Sequence, residues 1–131
     1  MVIAAQLGNL LSWSMSEVDK QNEFVKTLVR FFTWLDINGY QITLGEAYRP
    51  PQVAKMYALE RAGIANSRHC DRMAIDLNLF KRGVLLTTKE ELRDAGTFWE
   101  SLSTPGQECC WGGFFEQPDC DHFSIADGNR K

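Results

Sequence analysis

The sequence has no long hydrophobic run, no cluster of basic residues and no repeated or low-complexity segment. A helix that crosses a bilayer needs about 20 consecutive apolar residues, so we expect no stable membrane insertion. The formal net charge is -3, and the 14 Lys and Arg residues are scattered rather than clustered. A protein that binds nucleic acid usually carries a basic patch, so nucleic acid is not an expected partner.

The first stretch, MVIAAQLGNLLSW, lacks both the positive n-region and the Ala-x-Ala-like cleavage site of a secretory signal. We therefore expect synthesis in the cytoplasm, with this stretch forming an N-terminal helix packed on the domain. The chain has 131 residues, of which 44% are hydrophobic and 24% charged. These values predict an ordinary globular chain with one domain over residues 1–131.

The four cysteines show no C-x-x-C spacing, and the neighbours Cys109 and Cys110 could not easily both bind one metal ion. This pattern argues against a structural zinc site built from cysteines. Free thiols in a reducing compartment are the preferred interpretation. A disulfide between Cys109 and Cys120 is the alternative if the protein works in the periplasm.

Three segments are predicted to be helices. SMSEVDKQNEFVKTLVRFFTWLDINGY begins with Ser14 and Glu17 in capping-box spacing and stops near Gly39. Its apolar residues at helical intervals are Phe24, Leu28, Phe32 and Leu35. PQVAKMYALERAG starts where Pro50 and Pro51 can seed a first turn, and LLTTKEELRDAGTFWESL has Thr88 and Glu91 as a capping box.

Strands are predicted in YQITLGEAYR, in AIDLNLF and, as short pieces, in CCWGGFFEQPDCDHFSIADG. In AIDLNLF the residues Ile75, Leu77 and Leu79 alternate with polar or small ones, so one face belongs to the core and Asp76 lies on the other. Helices and strands are mixed without regular βαβ alternation. The expected fold class is α+β, a small antiparallel sheet flanked by helices.

The only two histidines each stand near acidic residues: Asp76 follows His69, while Asp119 and Asp121 precede His122. Two histidines and one carboxylate on neighbouring strands would give three zinc ligands and leave a fourth position open, as a catalytic site requires. The His-x6-Asp spacing alone is common by chance. A simple hydrogen-bonded pair is the alternative explanation for it.

A longer set of motifs makes the pattern more specific. SRHCDRMAID matches S-x-H-x6-D, DCDHF supplies D-x-x-H-F after a Trp-Gly-Gly, and AYR precedes both. Together they strongly resemble the zinc peptidases that include D-alanyl-D-alanine carboxypeptidases, vancomycin-resistance D,D-dipeptidases and phage L-alanyl-D-glutamate endolysins. The resemblance runs from about Gly39 to Ser124. It is greatest to the small phage and prophage members, which are single catalytic domains with a Hedgehog/D,D-peptidase-like fold.

The resemblance implies a role for each motif residue. It makes Asp119 the general base, because the family places its acid three residues before the last histidine; Asp121 is the competing candidate. It also implies that Arg49 faces the substrate carbonyl, while Glu46 is expected to face solvent rather than this arginine. The implied ligands of one zinc ion per chain are His69, Asp76 and His122.

Four further residues are candidates for substrate binding. Ser67 could line the cleft or orient a ligand, with a helix-capping role as an equal alternative. Tyr48 and Trp111 could form the floor of a peptide groove, although core burial is favoured for such aromatic residues. Arg72 stands where many family members carry glycine, so the loop may turn differently and Arg72 could reach an acidic stem peptide.

The resemblance implies a peptidase that cuts the peptide stem of bacterial peptidoglycan between L-alanine and D-glutamate, as a phage or prophage endolysin. The alternatives are a D-alanyl-D-alanine carboxypeptidase or dipeptidase and a non-catalytic zinc-binding module of the same fold. We expect a monomer whose partner is the stem peptide. It would act on the cell wall in the periplasm after release through a holin.

Overall fold

The structure is a computed structural model that describes residues 15–60 and 64–131 of the chain. The N-terminal helix predicted in MVIAAQLGNLLSW lies outside the described residues. The helices are α1 (Glu17–Ile37), α2 (Pro51–Leu59) and α3 (Lys89–Ser101), and the strands are β1 (Gln41–Leu44), β2 (Ala74–Lys81), β3 (Val84–Leu85), β4 (Cys109–Trp111) and β5 (His122–Ile125). Two short 3-10 helices span Arg68–Asp71 and Gly112–Phe114.

The strands form one antiparallel sheet in the order β1-β2-β5-β4, with β3 also paired to β2. β2 lies in the middle and β5 beside it, and their register sets Asp76 opposite His122. Helices α1 and α3 pack against the sheet around a common aromatic core. The predicted α+β class, a small antiparallel sheet flanked by helices, is confirmed.

Helix α1 begins two residues later than predicted. Its capping box is formed by Ser16 and Asp19: the Ser16 hydroxyl accepts from the Asp19 N–H, and the Asp19 carboxylate accepts from the Ser16 N–H, each at 3.1 Å. The sequence holds two overlapping Ser-x-x-acid matches, and spacing alone does not choose between them. Ser14, the predicted capping residue, lies outside the described residues, whereas Glu17, its predicted partner, is the first residue of the helix that Ser16 caps.

The buried face of α1 is also shifted by one residue. Phe31 is fully buried, whereas Phe32, which was expected in the core, is only half-buried against it. A 3.6-residue period starting from Phe24 reaches position 31 at the centre of the apolar face, and position 32 at its edge. The Phe31 ring lies 4.9 Å from the Phe123 ring and 5.3 Å from that of Trp99, between centroids.

Helix α3 and strand β2 agree with the sequence. Thr88 and Glu91 form the predicted capping box. In β2 the alternating residues Ile75, Leu77 and Leu79 are buried, while the Asp76 side chain is partly exposed on the opposite face. The strand's period therefore fixes the face on which the functional residues lie.

Trp111 belongs to the core and not to a groove. Its side chain is fully buried, and its indole Nε1 donates a hydrogen bond to the Cys120 carbonyl at 2.8 Å. The α3 residue Gly96 packs against this ring so closely that a Cβ at that position would lie 2.0 Å from a ring atom. The possible role of Trp111 as the floor of a peptide groove is therefore contradicted.

Helix α2, the cysteines and the apolar character of the helices can each be compared with the predictions from the sequence. Helix α2 ends at Leu59 and fully buries only Ala54. The four cysteines carry free thiols, so the alternative Cys109–Cys120 disulfide is not formed in the described parts of the chain. Over these same residues, none of the helices combines the length and apolar character that a bilayer crossing requires.

Candidate metal centre

Three elements bring the predicted metal ligands together. His69 lies in the 3-10 helix Arg68–Asp71, Asp76 is the third residue of β2, and His122 is the first residue of β5. Antiparallel pairing of β2 with β5 places Asp76 directly opposite His122. The 3-10 helix folds back onto the start of β2, because the Met73 N–H donates to the Arg68 carbonyl at 3.1 Å.

The ligand atoms of these residues face one another. His69 Nε2 lies 3.2 Å from Asp76 Oδ1, and His122 Nδ1 lies 3.7 Å from the same oxygen. One nitrogen or oxygen from each of the three side chains falls within 4.8 Å of the other two. Both imidazoles are buried, with the His69 side chain only 2% exposed. The structure therefore assembles the three predicted ligands into one cluster.

A backbone carbonyl orients the first histidine. His69 Nδ1 lies 2.8 Å from the Ala47 carbonyl oxygen, which can only accept a hydrogen bond. This contact favours the tautomer with its proton on Nδ1, and it leaves the Nε2 lone pair directed at Asp76. A hydrogen bond from the second ring nitrogen to a carbonyl is the usual arrangement of a metal-binding histidine.

The cluster contains polar atoms that the described residues do not satisfy. Asp76 Oδ1 and His122 Nε2 are buried and have no hydrogen-bond partner among residues 15–60 and 64–131. A buried carboxylate oxygen without a partner is costly, because it has lost its hydration and gained nothing in return. A divalent cation between the two rings and this oxygen would remove that cost. The residues present, two imidazoles and one carboxylate, fit zinc.

The charge state of Asp76 suits a ligand. Burial raises the pKa of this carboxyl, but contacts with His122 and His69 outweigh burial and lower the pKa to about 2. Burial likewise lowers the pKa of His69, while Asp76 and the Ala47 carbonyl raise it above its ordinary value. Asp76 is thus a carboxylate at neutral pH, as metal coordination requires.

Both candidate acids lie beside this cluster. Asp119 Oδ2 is 4.0 Å from His122 Nδ1, and the Asp119 side chain is 56% exposed, so water and substrate can reach it. Carboxylate oxygens of Asp76, Asp119 and Asp121 also fall within 4.8 Å of one another. Burial, contact with Asp119 and the charge of Asp76 raise the pKa of Asp121 to about 7. The geometry therefore brings both candidates for the general base to the site.

Gly112, which was not identified from the sequence as a functional position, holds Asp119 in place. The Asp119 N–H donates to the Gly112 carbonyl at 2.8 Å. A Cβ on Gly112 would lie 2.0 Å from the Asp119 carbonyl oxygen and 2.9 Å from His122 Cβ. Only a glycine allows the loop before β5 to approach this closely. The Trp-Gly-Gly motif was the sequence feature from which this role of Gly112 could have been predicted.

Arg49 is fixed by Glu46, which corrects the expectation that Glu46 faces solvent. Arg49 Nε donates to Glu46 Oε1 at 2.7 Å, and a terminal guanidinium nitrogen contacts the same oxygen. The Arg49 side chain is only 11% exposed, and a guanidinium buried to that extent needs a charged partner. Burial lowers the pKa of Arg49, but Glu46 and, more weakly, Asp76 raise it above its ordinary value.

The other candidate substrate residues occupy different environments. Ser67 is buried and caps the 3-10 helix, its hydroxyl accepting from the His69 N–H at 3.1 Å, as the capping alternative predicted. Tyr48 is 41% exposed, and the Arg72 guanidinium carbon lies 3.8 Å above its ring centroid. Arg72 itself has φ 58 and ψ 35, the left-handed conformation that favours glycine. The loop therefore keeps a glycine-type turn without glycine.

The fold and the site together define an α+β protein with a His–Asp–His candidate metal centre. A solved structure from Serratia marcescens, the L-Ala D-Glu endopeptidase ChiX, has a similar fold. The TM-score is 0.66 over 80% of this chain and 79% of that chain, at 16% sequence identity. At this identity the likeness shows the fold alone, and it confirms the peptidase-like fold that the motifs implied. No family model and no curated protein matches the sequence.

Proposed function

We propose that this protein is a zinc-dependent peptidase that hydrolyses the peptide stem of bacterial peptidoglycan between L-alanine and D-glutamate. The observation that carries the proposal is the convergence of His69, Asp76 and His122 on one point with a buried, unsatisfied carboxylate oxygen. In this proposal the chain is a phage or prophage endolysin. It acts as a monomer on the cell wall from the periplasm, after release through a holin.

The three ligands leave room for chemistry. His69 Nε2, Asp76 Oδ1 and His122 Nδ1 would hold one zinc ion with a fourth position open, as in catalytic rather than structural sites. When bound, zinc supplies Lewis-acid chemistry, which polarises a carbonyl group and makes water more acidic. Both effects would favour hydrolysis of a peptide bond.

Asp119 is the proposed general base. Its carboxylate is exposed and lies next to His122, so Oδ2 can take a proton from the attacking water and later deliver it to the leaving amine. The choice of Asp119 over Asp121 rests on its position, because Asp119 is the acid that lies 4.0 Å from His122 Nδ1 and three residues before it in the chain. Carboxylate oxygens of Asp119 and Asp121 lie within 4.8 Å of each other.

Arg49 is the proposed donor to the developing oxyanion. Glu46 fixes the guanidinium in one orientation, and the Arg49 N–H donates to the His69 carbonyl at 3.1 Å, which ties this segment to the metal ligand. A preorganised cation aimed at a carbonyl oxygen stabilises the negative charge that grows there during hydrolysis. An arginine suits this role because it stays charged when partly buried.

The substrate is proposed from two sources that agree. The three motifs resemble peptidoglycan peptidases, and the solved structure with a similar fold is described as an L-Ala D-Glu endopeptidase. Both support a stem-peptide substrate, and the description of the solved structure favours the endopeptidase over the carboxypeptidase or dipeptidase.

Digestion of purified sacculi tests the proposal. The zinc-loaded protein should release products in which mass spectrometry finds the stem cut between L-alanine and D-glutamate. A chelator should stop the release, and added zinc should restore it. Loss of terminal D-alanine from an intact stem would favour the carboxypeptidase instead. Zinc binding with no hydrolysis of any muropeptide would point to a binding module of the same fold.

A further inference from the structure

We infer that Arg72 and Tyr48 form a carboxylate-binding element beside the metal centre, and that Arg72 makes the enzyme selective for a free carboxylate next to the scissile bond. This inference rests on the proposed peptidase function. It adds the chemical class of the group that this chain recognises, and it assigns that recognition to a residue outside the proposed catalytic set.

The backbone places both residues next to His69. Tyr48 lies between Ala47, whose carbonyl contacts His69 Nδ1, and Arg49, whose N–H donates to the His69 carbonyl at 3.1 Å. The Arg72 N–H lies 3.3 Å from that same carbonyl oxygen. The segments that carry Tyr48 and Arg72 are therefore both held to the backbone of the first metal ligand, and the two side chains stack on each other.

The Arg72 guanidinium is held but not neutralised. It stacks at 3.8 Å on the half-exposed Tyr48 ring, and no carboxylate of the described residues forms an ion pair with it. By contrast, Arg49 is paired with Glu46. A guanidinium that stacks on an aromatic face keeps its N–H edge free, and that edge matches a carboxylate with two parallel hydrogen bonds.

The charges around the site explain why such a cation is needed. Asp76, Asp119 and Asp121 place three carboxyl groups within 4.8 Å of one another. Bound zinc would compensate part of this charge, and a second cation nearby would reduce the remaining repulsion of an anionic substrate group. Arg49 is already balanced by Glu46, whereas Arg72 forms no ion pair with a carboxylate of the described residues.

The backbone at Arg72 supports a functional reason for the side chain. A non-glycine residue at φ 58 is less favourable than glycine, because its Cβ crowds the backbone. Glycine would fit this turn better, so a binding role would give the arginine side chain a reason to be there that stability does not. Arg82, at φ 52 in the β2–β3 turn, is the other described non-glycine residue in this conformation.

The substrate chemistry fits a carboxylate. A glutamyl residue has two carboxyl groups, and a linear peptide chain uses only one of them. Cleavage of an alanyl-glutamate bond therefore places a free carboxylate on the residue that follows the cut. A stem that ends in D-alanine offers a carboxylate at a comparable distance from its last bond, so the test must separate these two sources.

The test compares two muropeptides that differ only in whether the free carboxylate of D-glutamate is intact or converted to an amide. Steady-state kinetics with zinc-loaded wild type should show a higher kcat/KM for the acid. In Arg72→Gln this preference should fall by about 10- to 100-fold, mainly through KM, the loss expected for one charged hydrogen-bonding pair. Arg72→Lys should retain part of it, since it keeps the charge but not the planar fork.

Arg82→Gln is the matched control, because it removes one exposed arginine from a second left-handed turn. It should keep the wild-type preference, while an equal fall in Arg82→Gln and Arg72→Gln would show a general charge effect and overturn the inference. An unchanged preference in Arg72→Gln would also overturn it. A wild type that releases only terminal D-alanine, or cleaves neither muropeptide, would instead reject the proposed endopeptidase, and the two failures are therefore distinguishable.

Discussion

The Nε2 atom of His69 lies 3.2 Å from the Oδ1 atom of Asp76, although the two residues belong to different secondary-structure elements. The short 3-10 helix and the left-handed turn at Arg72 bring the chain back onto β2 within a few residues. Two of the three candidate ligands are therefore positioned locally. The third, His122, arrives through strand pairing, so metal binding should depend on the whole sheet.

Asp76→Asn should weaken zinc binding by more than about 100-fold, since loss of a residue that only hydrogen-bonds to a metal ligand already costs about 10- to 100-fold. The amide keeps the size of the side chain but removes the charge that faces both imidazoles. Competition with a chromophoric chelator measures the affinity. Asp127→Asn, which alters an exposed carboxylate paired with Arg130, is the control and should bind zinc as the wild type does. An affinity within 3-fold of wild type in Asp76→Asn would contradict the site.

Arg68→Met should lower the free energy of unfolding by about 2–4 kcal/mol, because it leaves a buried carbonyl without its donor and removes one of the two arginines that pair with Asp71. The buried Arg68 side chain donates through Nε to the Ile125 carbonyl and through a terminal nitrogen to Asp71, both at 2.7 Å. It thus joins the segment of His69 to the end of β5. Urea unfolding measures the effect, and the stability of Arg68→Lys should lie between those of the wild type and Arg68→Met. A loss under 0.5 kcal/mol in Arg68→Met would show that this link is not needed.

Gly96→Ala should destabilise the protein by about 2–3 kcal/mol, the upper part of the range for overpacked cores. Alanine is normally the better helix former by about 1 kcal/mol, but here its Cβ would lie 2.0 Å from the Trp111 ring. Thermal unfolding checks the sign. Thr97→Ala, on the exposed face of the same helix, should change stability by less than about 0.5 kcal/mol. A stabilised Gly96→Ala protein would mean that the ring and helix do not pack as described.

Stability should fall at alkaline pH because of a buried thiol. Burial raises the pKa of Cys109 from 9.0 to about 12, so the unfolded state loses its thiol proton first. The stabilisation is complete below pH 9 and is lost as the pH rises from about 9 toward 12. Between pH 9 and 10 the loss from this group should be about 1 kcal/mol. Urea unfolding of wild type and Cys109→Ala at several pH values measures this loss. The free energy of unfolding should fall less steeply with pH in the variant, and an equal fall in both proteins would refute the assignment.

The features of the fold that depend on a short stretch of sequence were predicted correctly. The alternation in AIDLNLF placed Asp76 on the face away from Ile75, Leu77 and Leu79, and the Thr88–Glu91 box marked the start of α3. Where two local matches overlapped, as at the start of α1, spacing could not choose, and the capping residue is Ser16. That choice depends on which register of the helix packs onto the sheet.

The metal ligands of the site were predictable from the sequence, but the residues that hold the other site residues in place were not. The motifs identified His69, Asp76 and His122 because the chemistry requires those residue types. The pairing of Glu46 with Arg49 was missed because it follows from burial of the guanidinium, which no local pattern reveals. The close approach of Gly112 to Asp119 was missed for a similar reason, since it depends on the path of a loop between two strands.

The most direct test of the central claim measures hydrolysis and zinc content together in Asp119→Ala. A defined muropeptide with one L-alanyl-D-glutamate bond is the substrate, and Asp121→Ala is assayed beside it. We expect Asp119→Ala to retain one zinc per chain, because the three ligands are intact, and to lose about 10²- to 10⁴-fold in kcat, the contribution typical of a general base. Asp121→Ala should lose much less. Hydrolysis by Asp119→Ala at the wild-type rate, with zinc bound, would contradict the account.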